Sequence, residues 1–508
     1  MVAHVATVAL EGISAVPVDV QVQVRSGLSA FQVVGLPDGA VRESRERVQA
    51  ALHALGLALP AKRIIVNLSP ADLTKEGSHY DLPIAVGLLI ALGLLPSDAA
   101  EGGLFMGELG LDGRLRSVGG VLPAAMCAVA QDLARIFVPE GNAREAAWAG
   151  AVTAYGVPTL RALMGHLKGE QTLTDTPAGA EASAPLAGLP DFRDVRGQEA
   201  AKRAAEIAAA GGHNLLMVGP PGSGKSMIAQ RLPALLPPLT PAEALEVSTI
   251  HSVSGLLPDS GLITTRPFRD PHHSASAVSL TGGGHAAKPG EMSLAHRGIL
   301  FMDELPEFPR NVLETLRQPL EAGTITVSRA RAHVRYPARF QLVAAMNPCP
   351  CGYLGHPTTK CTDTPRQVQA YRNRLSGPLL DRIDLHIEVP AVQAADLSLP
   401  PPKEGTAEIA ARVAKARLVQ QRRYAGTAIT CNAELTGDLL TKYTELDAEC
   451  QEMLTKAARV YSLSARAYHR VLRLARTIAD LAGAPQIQRP HLAEALGYRP
   501  QSGLEQVA

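Results

Sequence analysis

Residues 214–226 read NLLMVGPPGSGKS, an apolar run that breaks into a glycine-rich loop ending in Lys225 and Ser226. The apolar run predicts a buried strand, and the residues after the loop predict a helix, so the segment has the strand–loop–helix context that a P-loop requires. The loop Gly219, Pro220, Pro221, Gly222, Ser223, Gly224, Lys225, Ser226 is therefore the candidate nucleotide-binding segment. Its glycines let backbone N–H groups wrap phosphates, and the helix N-terminus adds a favourable dipole. Lys225 is expected to reach the β- and γ-phosphates of ATP, and the Ser226 hydroxyl to bind Mg²⁺.

Downstream, GILFMDE (298–304) is a second apolar run, ending in Asp303 and Glu304. Ligands of open α/β sheets bind at the carboxyl ends of strands, which puts both carboxylates where a nucleotide would lie. Asp303 is expected to hold Mg²⁺ and Glu304 to polarise the attacking water as general base. A third run, FQLVAAMN, ends in Asn347, which in this company resembles a sensor asparagine, a residue that positions the lytic water. Continuous apolar strands of this kind are those of a parallel sheet covered on both faces. P-loop, acidic strand end and strand-terminal asparagine, in this order, resemble the AAA+ superfamily of P-loop NTPases.

The rest of the chain divides around this core. Residues 1–168 alternate β-rich runs (VDVQVQV, AFQVVGL, RIIVNLSP) with helical stretches at Val41–Leu55 and Leu82–Leu92, which predicts an α/β domain. Residues 169–190, rich in Ala, Pro, Gly and Thr, read as a linker. The ATPase core is expected over 191–390, and 391–508, after the proline-rich break at 390–405, reads as a helical lid domain. With 508 residues and 46% apolar but only 4% aromatic content, the cores must be packed by Ala, Leu and Val. The net charge of +1 points to no partner by itself. The start MVAHVATVAL lacks the features of a secretory signal, the run Leu82–Leu95 is too short to span a bilayer, and six cysteines without a regular framework suit a reducing compartment. A cytoplasmic protein without membrane contact is the expectation.

Further segments narrow the resemblance. RPFRDPHH (266–273), GGGHAAKPGEMSLAHRGILFMDEL (282–305), MNPCPCGY (346–353) and LLDRIDLHIEVP (379–390) are similar to the magnesium-chelatase-like branch, and more closely to the ComM/YifB proteins, over nearly the whole chain. The resemblance implies an N-terminal Lon-protease-like domain, a hexameric ring with ATP at subunit interfaces, Arg382 as an arginine finger and Arg466 as the sensor arginine of the lid. It also implies an insertion over Ser252–Gly290 directed at the ring's pore. The segment Thr324–Phe340, TITVSRARAHVRYPARF, alternates like a hairpin and has four arginines and no acid. Positive hairpins suit sequence-independent capture of a phosphate backbone. Arg329, Arg331, Arg335 and Lys288 are thus candidate contacts to single-stranded or branched DNA. Two arginine-rich stretches, Ala410–Tyr424 and Ala457–Thr477, point the same way or towards ATP and a neighbouring subunit.

Lon-type proteases use a Ser–Lys dyad. The matching segment here is KEGSHYDLP (75–83), which puts His79 in the nucleophile's place with Ser78 one residue off. Glu76–Leu167 contains no lysine, and Leu122 stands near the position expected of the dyad lysine. The domain is expected to have lost peptidase chemistry. Lys62, Arg63 and Lys75 remain as DNA contacts or surface charges.

Cys349, Cys351 and Cys361, in CPCGYLGHPTTKC, have a spacing that can hold Zn²⁺ if a fourth donor is found. His356 and Asp363 are the candidates; free thiols are the alternative. The combined expectation is a hexameric ATP-dependent DNA helicase or translocase that promotes branch migration during natural transformation, acting with recombination proteins. The rivals are a chelatase-type motor for Mg²⁺ or Co²⁺ insertion and an ATP-dependent protease. No GAFTGA-like loop of an enhancer-binding activator is present.

Overall fold

The computed structural model describes residues 2–177, 190–258, 261–284, 287–328, 333–392, 402 and 404–499. Two sheets organise them. The N-terminal sheet has eight strands, ordered Asp175–Thr176, Thr153–Val157, Arg135–Pro139, Gly103–Phe105, Val2–Glu11, Ser14–Arg25, Arg63–Ser69, Ala30–Val34. Its centre is a long antiparallel hairpin, Val2–Glu11 against Ser14–Arg25, turned at Gly12 with φ +64°. The helix Asp81–Ala91 lies on this hairpin and is buried from Asp81 through Ile90, which is why its sequence is apolar on every face. Gly87 makes the approach possible, since a Cβ there would come within 2.7 Å of Val22 Cγ2. The sheet also runs past residue 168, because Asp175–Thr176 pairs with Thr153–Val157. Two residues show no alternation, so the sequence gives no sign of this strand. Most of the expected linker, 178–189, lies outside the described residues.

The second sheet is wholly parallel, ordered Phe268–Arg269, Ile299–Met302, Gln341–Met346, Leu215–Val218, Leu385–Glu388. Its central strands are sealed on both faces, as their unbroken apolar runs require. Ser252–Gly290, expected as one insertion, is interrupted by the edge strand Phe268–Arg269; a two-residue strand again leaves no periodic signal. The C-terminal helices do not stand apart from this sheet. Thr406–Arg423 and Ala465–Leu481 pack on Glu199–Gly211, and one core joins Ile207, Leu215 and Phe301 to Val413, Leu474 and Ile478.

Among the described residues, the contacts between the two halves include one at the Gly12 turn and another beside Glu145. Ile13, beside the Gly12 turn, packs into the ATPase core, and a Cβ on Gly12 would lie 2.5 Å from Val334 Cγ1 of the strand His333–Pro337, which pairs with Thr324–Ser328 in a two-stranded hairpin. At the other, the helix Val121–Ala130 meets the end of the helix Pro241–Ser254. There the Ser252 hydroxyl donates to buried Glu145 at 2.5 Å, and the Gly120 N–H donates to the Ser252 carbonyl at 2.9 Å. Burial raises the Glu145 pKa against the hydrogen bonds of Ser252, Asn142 and the Val121–Leu122 backbone. Among the described residues no helix is long and apolar enough to cross a membrane.

Candidate active site and cysteine cluster

The loop after Leu215–Val218 folds as a P-loop because its glycines carry the conformations the turn needs. Gly222 and Gly224 have φ of +74° and +91°, where a side chain is disfavoured. Gly219 is needed for proximity, since a Cβ there would lie 2.1 Å from the carbonyl of Val389, which directly follows the neighbouring strand Leu385–Glu388. The loop, with Asp303, Glu304, Met346 and Asn347, lines a cleft of about 370 Å³, a volume suited to a small polar ligand.

Lys225 is buried. Its Nζ donates to the Gly219 and Pro220 carbonyls at 2.7 and 2.8 Å and lies 3.4 Å from Asn347 Oδ1. Burial lowers its pKa, and the charges of Asp303 and Glu304 oppose that shift. The Ser226 hydroxyl donates to Asp303 Oδ2 at 2.6 Å, so the two oxygens expected to share Mg²⁺ are already neighbours, a donor set of hard oxygens that fits this ion. Glu304 follows in the left-handed region, φ +51°, with its own N–H bonded to Asp303 Oδ1. That conformation costs a non-glycine residue on the order of 1–3 kcal/mol. It turns the Glu304 side chain away from the strand direction and into the cleft that it lines.

Two neighbours of this site carried no assigned role in the sequence. His273 Nδ1 lies 3.4 Å from Glu304 Oε2 and its ring is tilted against His272 at 4.1 Å. Burial, and then the charge of Asp303, raise the Asp270 pKa. Both residues follow the edge strand Phe268–Arg269, parallel to Ile299–Met302. The available signal was an Asp-Pro-His-His run at a strand's carboxyl end.

Arg382 and Arg466 do not line the cleft. The Arg382 guanidinium donates to Glu321 at 2.5 Å and to the Pro378 carbonyl at 2.6 Å. Arg466 is exposed on the helix Ala465–Leu481. The Arg382 hydrogen bond and charge, with a smaller contribution from Arg466, hold the Glu321 carboxyl below its usual range. One exposed glutamate thus holds Arg382 away from its own nucleotide loop.

The other arginine-rich stretches prove largely internal. Arg412 pairs with Glu206 and Glu404, Arg423 with Asp480, and Arg476 with Asp480, while Arg417, Arg470 and Arg473 donate to the carbonyls of Ala209, Ile383 and Leu435. A helix free of acids is not a helix free of partners; the partners come from other elements. At the hairpin, Arg335 is exposed with Nε 3.2 Å from Thr324 Oγ1, and Lys288 is exposed on a short ribbon that packs beside the hairpin. Arg329 and Arg331 lie outside the described residues.

The N-terminal segment 75–83 is closed. Lys75 is fully buried, its ammonium bonded to the Pro70 carbonyl, so it is no DNA contact. Ser78 bonds to Glu108, and His79 is buried with Nε2 2.9 Å from the Val8 carbonyl and its pKa lowered by burial to about 4. Leu122 is buried, and its N–H donates to Glu145 at 2.9 Å.

The cysteines converge as their spacing predicts. Cys349, Cys351 and Cys361 have Sγ–Sγ separations of 3.4, 3.6 and 3.5 Å, and Asp363 Oδ2 completes a group lying within 4.8 Å of one another. His356 turns instead to the backbone of Thr358 and Thr359.

Comparison with known proteins identifies the family. Residues 191–397 match the family model for the magnesium chelatase subunit ChlI, 403–499 its C-terminal region, and 20–142 a further ChlI model. The competence protein ComM of Haemophilus influenzae is 45% identical over 96% of this chain and 95% of its own. The YifB protein of Salmonella typhimurium is 45% identical over 98% and 97%. The 38 kDa magnesium-chelatase subunit of Rhodobacter capsulatus matches over only 31% of this chain, at 29% identity. The chain therefore belongs to the ComM/YifB family of magnesium-chelatase-like AAA+ proteins.

Proposed function

We propose that this chain is the subunit of a hexameric, ATP-driven DNA helicase that promotes branch migration during recombination of incoming DNA. The observation that carries the ATPase part is the convergence of Lys225, Ser226, Asp303, Glu304 and Asn347 on one cleft, with Ser226 and Asp303 in hydrogen-bond contact. Lys225 would bind the β- and γ-phosphates of ATP, and Ser226 with Asp303 would hold Mg²⁺, which neutralises phosphate charge. Glu304 takes the proton from the attacking water, and Asn347 orients that water. Arg382 and Arg466, outside their own cleft, fit a role in the cleft of the next subunit, where such an arginine can be worth about 10³–10⁵ in rate.

Support for a DNA cargo comes from the competence protein among the relatives, since competence is the capacity to take up DNA, and from exposed Arg335 and Lys288 on adjacent ribbons. The short match to the chelatase subunit favours a motor in common rather than a metal-insertion role, and with Lys75, His79 and Leu122 buried no Ser–Lys dyad for peptide hydrolysis forms there. Forked-DNA unwinding tests the proposal: the wild type should unwind with ATP at low salt, and Lys225→Ala should not. Absence of both unwinding and DNA-stimulated hydrolysis in the wild type would overturn it.

A further inference from the structure

We infer that Cys349, Cys351, Cys361 and Asp363 form a structural zinc site that sets the position of the P-loop. The three sulfurs are a nearly equilateral triangle with edges of 3.4–3.6 Å. They are unbonded to one another, whereas a disulfide needs ~2.05 Å. Tetrahedral thiolates about 2.3 Å from a zinc ion stand about 3.8 Å apart, so an ion about 1 Å above this triangle meets all three. Asp363 Oδ2 lies 3.8 Å from Cys361 Sγ, close to the spacing of a fourth tetrahedral ligand. The Cys351 N–H fixes that carboxylate at 2.8 Å. The triangle is too small to enclose a polynuclear iron–sulfur cluster. Binding releases the thiol protons to solvent, leaving three thiolates and one carboxylate on Zn²⁺.

The site is joined to the nucleotide cleft through the chain itself. Cys349 is buried two residues after Asn347, the residue facing Lys225. Next to Cys351, Gly352 lies with φ +84° so close to the P-loop that a Cβ would come within 2.6 Å of Pro221 Cδ, 2.8 Å of Pro221 Cγ and 3.8 Å of Asn347 Cγ. The loop that zinc would tie down is thus the wall against which Pro221 and Asn347 rest. Without the ion, residues 349–363 lose the tie that holds this wall, and the phosphate-binding backbone loses its support.

Metal analysis of the purified full-length protein should find one zinc per chain, with zinc lost in Cys361→Ser and Asp363→Ala and kept in Asp363→Cys. Wild-type protein loaded with Co²⁺ should show thiolate-to-cobalt charge-transfer absorption, a readout that needs no variant to fold. Stripping zinc with a chelator should weaken binding of a fluorescent ADP analogue about tenfold, and zinc added back should restore it. Zinc-free wild type, zinc content unchanged in Cys361→Ser, or a Cys349–Cys351 disulfide found by mass spectrometry would overturn the site. Unchanged nucleotide affinity after stripping would overturn its link to the P-loop.

Discussion

Lys75 and Lys225 are both buried lysines whose ammonium groups donate to backbone carbonyls of a proline-containing loop, Pro70 in one case and Gly219 with Pro220 in the other. Burial lowers the pKa of each. What differs is the surroundings. Lys225 opens on a cleft with Asp303 and Glu304, whereas three reactive groups near Lys75 in sequence are committed elsewhere: Ser78 to Glu108, His79 to Val8 and Asp81 to Arg47. A buried, pKa-shifted lysine marks a functional site only when a ligand has room beside it and a second reactive group faces that room.

The sharpest way to break this contrast is substitution at the lysines themselves. Lys225→Ala should lower ATP hydrolysis by about 10³-fold or more, as expected when a preorganised donor to developing charge is lost. Steady-state phosphate release measures it, and a residual rate near wild type would make the two lysines equivalent. Glu304→Gln should lower the rate by about 10²-fold or more while nucleotide still binds, separating the proton acceptor from the phosphate cradle. A fluorescent ATP analogue reads the retained affinity.

Lys75→Ala should leave turnover of the folded protein unchanged and cost about 2–4 kcal/mol of stability, from the cavity and the orphaned Pro70 carbonyl. Denaturant titration beside an ATPase assay distinguishes this from a catalytic role. The smallest effect concerns His79, with a folded pKa of about 4 against about 6.5 when unfolded. The unfolded chain takes up the proton first, so neutral His79 contributes stability that is complete above about 6.5 and is lost as pH falls towards 4. Thermal midpoints between pH 7 and 4 should decline less steeply in His79→Asn than in the wild type.

The nucleotide site was legible because its requirements are local: glycines at fixed offsets and carboxylates at the end of a sealed strand. Asp270 and His273 were not, because they reach the site by sheet pairing between Phe268–Arg269 and Ile299–Met302, which two residues cannot announce. Arg412 and Arg423 misled for a related reason. Their partners Glu206 and Asp480 lie on helices distant in the chain, so two charges that read as positive surface are engaged in ion pairs within the fold. Lys75 misled by its charge alone, since nothing in KEGSHY records that the chain closes over it.

Gly12, at the tip of the first hairpin, has no space for a Cβ because Val334 stands against it. The N-terminal sheet and the arginine-bearing hairpin therefore behave there as two gear teeth without clearance. A displacement of the hairpin towards this turn presses Val334 on the tip that joins Val2–Glu11 to Ser14–Arg25, the longest strands among the described residues. An alanine at position 12 would press on Val334 and sit in a left-handed backbone, φ +64°, that a side chain disfavours, straining this contact without touching the nucleotide cleft.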